Sequence, residues 1–96
     1  MINKFEKIHV KKNILLGNIK KKVSKNNLII EFEDDNNINT EILDFFNSQM
    51  KKSKKSIVII SNTLKNDRYL FSVVPTFQEA KDIIEIEEIE RLLNEE

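Results

Sequence analysis

Ninety-six residues, 40% hydrophobic and 33% charged, describe one small globular domain spanning residues 1–96, not a disordered chain. A formal net charge of zero argues against strong nucleic-acid binding, and the absence of cysteine excludes disulfides and thiolate metal sites. No run approaches the roughly 20 apolar residues needed to span a bilayer, and the first residues hold no compact apolar leader; a cytoplasmic protein with no membrane partner is expected. The neutral total hides a segregation of charge. Residues 1–25 carry eight lysines against Glu6, and residues 77–96 carry eight acids against Lys81 and Arg91. Ends of opposite sign can attract within one fold or between protomers.

Residues 5–10, FEKIHV, alternate in part, with Ile8 and Val10 on one face and Phe5 on the other. Lys11, Lys12 and Asn13 form a candidate turn. Residues 14–16 then suit a second short strand, which Gly17, the only glycine, would end. A helix competes here, because Leu15, Leu16, Ile19 and Val23 also fit a 3.6-residue period. The expected order is a strand pair followed by a short helical piece near residues 18–25. His9 is expected at the surface or on an edge strand, since it has no cysteine and no placed serine with which to form a nucleophilic pair.

Leu28, Ile29 and Ile30 run together within NLIIEFE, as in a strand covered on both faces. Asp34, Asp35, Asn36 and Asn37 have loop composition. Asp34 and Asp35, with Glu31 and Glu33, are hard oxygen donors of the kind that hold Mg²⁺ or Ca²⁺. They lack the EF-hand spacing, so a solvated loop is expected and no metal or cofactor is assigned. A helix opens near Asn39 or Thr40 and runs over about residues 40–53. Its apolar stripe is Ile42, Leu43, Phe45, Phe46 and Met50. Ile38 and Leu43 have the spacing of a hydrophobic staple about an Asn39 cap. Lys51, Lys52, Lys54 and Lys55 crowd its end, where the helix dipole favours positive charge.

SIVII at residues 56–60 is a further strand, closed by Ser61, Asn62 and Thr63. Residues 70–74 form another, which must stop at Pro75 because proline cannot donate to the ladder. The link over residues 63–68 reaches only about 20 Å fully extended, whereas a parallel crossover usually takes about a dozen residues or more. Either the final strand pair is antiparallel, or a bare extended segment replaces the crossover helix.

Thr76 and Glu79 have capping-box spacing, so a helix begins near Phe77 and runs over about residues 77–93. Phe77, Ala80 and Ile84 share one side. Ile86, Ile89 and Leu93 share a nearly opposite side, with Ile83 between the two. A helix packed on one sheet needs a single apolar stripe. Either a bend or neighbouring element buries the second stripe, or Ile86, Ile89 and Leu93 form a homodimer or partner contact.

The order of elements from residue 28, with LIIEFE, SIVIIS and VVPTFQEAKDII in these places, resembles the STAS domain, the fold of anti-sigma-factor antagonists. The likeness covers about residues 28–93. It is greatest to short bacterial STAS-like proteins whose C-termini read much like VVPTFQEAKDIIEIEEIERLL. The resemblance implies a single α/β domain with a mixed sheet of about four to five strands, two main helices and a reduced N-terminal region. It also implies a regulatory, non-catalytic module that binds another protein. Some members of that group carry a ribonuclease Z label. That enzyme needs several histidines and carboxylates around two zinc ions, and this chain has only His9. In antagonist STAS proteins a serine or threonine at the start of the helix after the first core strand is phosphorylated. Matching LIIEFEDDNNINTEIL to that pattern places Asn39 at the usual aspartate and Thr40 at the phosphoacceptor, with Glu41 and Ile42 where a glycine usually follows. The plainer role for Thr40 is to cap or start the helix. The alternative to a regulatory module is a structural or self-assembling (dimeric) protein without a separate regulatory client.

Overall fold

The computed structural model describes residues 5–23, 26–36, 38–65 and 68–94. The end of the expected helical piece, residues 24 and 25, and part of the expected link, residues 66 and 67, lie outside them. The elements are β1 (Phe5–Val10), α1 (Leu16–Lys22), β2 (Asn27–Phe32), α2 (Thr40–Lys52), β3 (Ile57–Ile60), β4 (Ser72–Val74) and α3 (Phe77–Asn94). The strands form one sheet in the order β1-β2-β3-β4, and every neighbouring pair is parallel. This corrects the expected mixed sheet of about four to five strands: among the described residues there are four strands, and none is antiparallel. The two main expected helices are present as α2 and α3, and the expected short helical piece as α1.

One local expectation fails for an identifiable reason, and one open choice is decided. Residues 14–16 are not a strand. Asn13 adopts φ 66°, a left-handed conformation that asparagine tolerates, and the chain turns there into α1. The helical period of Leu16 and Ile19 wins because it seats Ile19, fully buried, under the sheet. Of the two alternatives for the final strand pair the parallel one holds, across a connection longer than residues 63–68. β4 begins at Ser72, so eleven residues, 61–71, make the crossing, and a span of that length reaches about 36 Å or more. No helix forms among its described residues. It is held instead by contacts with α2. The Leu70 N–H donates to Asn47 Oδ1 at 2.7 Å. Phe71 is fully buried, with Tyr69 stacked on it at 4.7 Å between ring centroids.

The other boundaries follow the capping chemistry. Asn39 Oδ1 accepts the Glu41 N–H at 2.8 Å and starts α2. Ile38 and Leu43 both pack on the same core cluster, as a staple would. Pro75 follows the last residue of β4, and Thr76 Oγ1 accepts the Glu79 N–H at 3.2 Å, the threonine half of the capping box.

The core has two layers. On one face of the sheet Ile8, Val10, Leu28, Ile30, Ile57 and Ile59 meet Ile19 of α1, Leu43 and Phe46 of α2, and Phe71 of the link. On the other face Ile29 and Val58 meet Ala80 and Ile84 of α3, with Phe5, Val74 and Phe77 at the margins. Leu28, Ile29 and Ile30 are therefore buried on both sides.

Phe71 and Leu70 separate burial from sequence position. We expect Phe71→Ala to cost about 3–5 kcal/mol, because it empties a fully buried site that holds the link. Leu70→Ala, at a side chain 55% exposed, should stay within about 0.5 kcal/mol of wild type. Urea unfolding of the two variants checks the difference.

Candidate functional site

At the carboxyl ends of β2 and β3, Asp35 ties two loops together. The Ser61 hydroxyl donates to Asp35 Oδ1, and the Asn62 N–H donates to Oδ2 at 2.7 Å. The Thr63 hydroxyl donates to the Asp35 carbonyl at 2.6 Å, while Ser61 Oγ accepts the N–H groups of Thr63 and Leu64. Partial burial pulls the Asp35 carboxyl upward, but donation from Ser61, Asn62 and Thr63 outweighs it and holds the group below its ordinary value of 3.8. Asp34 does different work, closing a turn by accepting the Asn36 N–H at 3.1 Å. Asp34 thus closes a turn within its loop while Asp35 joins that loop to the one after β3, and no set of three histidine, cysteine or acidic side chains suited to a metal occurs among the described residues.

Beside this knot lies a cavity of about 280 Å³ at the carboxyl ends of β1 and β2, lined in part by Lys11, Lys12, Asp34 and Asn39. His9 is on β1, an edge strand, half exposed, with Nδ1 3.7 Å from Glu31. Thr40 is the first residue of α2 and is exposed. It opens on a groove shared with Ile38, Leu64, Lys65, Arg68 and Tyr69.

At the amino ends of the strands a polar cluster fixes the far half of α3. Asn27, almost fully buried, accepts the Ser56 N–H on Oδ1 at 2.8 Å. Arg91 donates to Ser56 Oγ at 3.1 Å and to Asn27 Oδ1 at 3.4 Å, and it pairs with Glu88 at 3.4 Å. The sheet-facing stripe of α3 therefore runs Phe77, Ala80, Ile84, Glu88, Arg91, apolar for two turns and then polar.

That arrangement decides the second stripe. Ile86, Ile89 and Leu93 are 53%, 51% and 69% exposed, and α3 is continuous from Phe77 to Asn94. No described element covers them. Leu92, 53% exposed, widens the strip; the helical period alone placed only Leu93 on it. Asn27, Ser56 and Arg91 were not singled out from the sequence. An asparagine at the head of an apolar run looks like any strand boundary, and its partner Arg91 lies 64 residues away.

The chain matches no protein-family model, no curated protein and no solved structure.

Asp35 yields a pH test. A carboxylate held below 3.8 contributes stability that is fully present above its unfolded value and is lost as pH falls through the lower folded value. Carbon-13 carboxyl titration should place Asp35 below 3.8, and Ser61→Ala should move it upward, with acid unfolding beginning at a higher pH.

Proposed function

We propose that this chain is a non-catalytic, STAS-like protein-interaction module of the cytoplasm, and that it works through the outer face of α3. The observation that carries this reading is the strip Ile86, Ile89, Leu92 and Leu93, four large apolar side chains each more than half exposed on one helix. Exposed apolar side chains gathered in one patch mark contact surfaces, whereas single ones do not. The likeness of SIVIIS and VVPTFQEAKDII to STAS sequences supports a regulatory role. The Asp35 and Arg91 clusters support it from another side. Their polar groups are spent on one another, joining loops and fixing a helix.

The test is Ile89→Asp. An exposed position tolerates the change within about 0.5 kcal/mol. Binding of whatever wild type recovers in a tagged pull-down from its native host should weaken by about tenfold or more, equivalent to about 1.4 kcal/mol. Unchanged recovery with an intact fold would remove α3 from the proposal.

Thr40 enters the same proposal as the phosphoacceptor. Its groove holds Lys65 and Arg68, cations suited to a phosphate, and the start of α2 adds the positive end of a helix dipole. Glu41 opposes it. Mass spectrometry of protein purified from its native host should find phosphate on Thr40. Unmodified Thr40 across growth conditions would reduce the residue to the start of a helix.

A further inference from the structure

We infer that the occupant of the α3 strip is the basic amino-edge face of a second copy of this chain, so that copies associate head to tail. The inference rests on the reading of the α3 outer face as a contact surface and names what covers it.

The topology supplies both halves. α1 and α2 each return between parallel strands, so both run against the strands and end at the amino edge of the sheet. Their last turns and the residue pair after α2 bring Lys20, Lys21, Lys22, Lys51, Lys52, Lys54 and Lys55 to that edge, all exposed. Apolar surface lies among them. A groove of about 330 Å³ between α1 and α2 is lined by Leu16, Phe45, Lys20 and Lys52, with the Lys20 ammonium 5.7 Å from the Phe45 ring centre. Glu41 and Asp44 also line this groove. They stand on the first turns of α2, so the basic seat is the half nearest the amino edge.

The α3 strip has the opposite rim. Asp82 and Glu90 lie one turn to either side of Ile86, and Glu85 lies one turn before Ile89. Over its whole length α3 carries six acids against Lys81 and Arg91, and Arg91 is turned inward to Ser56 and Asn27. Two α3 strips packed on each other would set acid against acid. An α3 strip on the α1–α2 seat sets acid against lysine with apolar side chains between. Because α3 covers one face of the sheet and α1 and α2 the other, the two surfaces cannot satisfy each other within one molecule. Using one leaves the other available, the condition for a heterologous, extendable contact.

Light scattering at about 10 mM salt, where charges act over about 30 Å, should give a mass that rises with protein concentration above the 11.3 kDa of the chain. At about 1 M salt, where that range shrinks to about 3 Å, it should return to the monomer. Asp82→Lys, Glu85→Lys and Glu90→Lys together give α3 five cations against three acids, and Lys20→Glu, Lys51→Glu, Lys52→Glu and Lys55→Glu together leave the seat three lysines against four new acids; each multiple variant alone should be monomeric at low salt. An equimolar mixture of the two should associate. Association of the lysine-to-glutamate variant at wild-type strength would overturn the inference in favour of α3 pairing with α3. A wild-type chain that stays monomeric at low salt would overturn it without any variant having to fold. If that monomer still loses pull-down partners on Ile89→Asp, self-association falls while the interaction reading stands.

Discussion

The handedness of parallel crossovers shapes this molecule. Strands in sequential order β1-β2-β3-β4, all parallel, advance across the sheet in one direction. A right-handed connection at each step then returns over the same face. α1, α2 and the β3–β4 link accordingly share one face and one core cluster. Three connections stacked on one side leave the other side bare, and an uncovered parallel sheet exposes apolar side chains such as Ile29 and Val58. Among the described residues only the chain after β4 supplies a helix to cover it, and α3 is alone there.

A lone helix over four strands has limited options for its outer side. No other described helix flanks α3, and one apolar stripe is buried. That stripe is Phe77, Ala80 and Ile84. Beyond Ile84 the helix meets the polar side chains of Ser56 and Asn27 at the amino edge instead of apolar side chains on a pleat. Arg91 and Glu88 suit that place because a guanidinium supplies several donors to Ser56 and Asn27 while its charge is offset by the neighbouring carboxylate. The anchoring role thus passes from apolar to polar residues partway along one helix. Ile86, Ile89, Leu92 and Leu93 are not required by the fold, which makes their apolar character a property to be explained by something outside it.

Much of this was legible in the chain. Short-range chemistry was clearest: Pro75 ending β4, Thr76 and Asn39 at helix starts, the buried run at residues 28–30, and the two-sided α3. Those signals sit within a few residues of what they specify. The error at residues 14–16 and the undecided direction of β4 concern information that is not local. Residues 14–16 suit a strand and a helix equally, and the choice is made by Ile19 finding a place beneath β1 and β2. The direction of β4 depends on the link, whose length was read from where Leu70 begins an apolar stretch. Leu70 is in fact exposed, and Phe71 is buried against α2 rather than in the sheet. The knot of Asp35, Ser61 and Thr63 joins loops 26 to 28 residues apart. In sequence its members look like ordinary loop polar residues.

The same topology bears on where a function can reside. In open parallel sheets, ligand crevices form at the carboxyl edge where successive connections diverge to opposite faces. Here the three connections between strands stay together, and the loops at that edge are closed on each other by Asp35 rather than held apart. Besides the cavity at the carboxyl ends of β1 and β2, two features lie on the flanks and at the amino edge: an acidic apolar helix face on one side, a lysine-rich end on the other. Both arise from one cause. Helices returning between parallel strands must end at the amino edge, where the dipole favours lysine, and the helix that closes the opposite face carries the acids that balance them. A chain of zero net charge with its two signs on opposite sides of a sheet has a polarity that one molecule cannot neutralise by itself, whereas contact between molecules can.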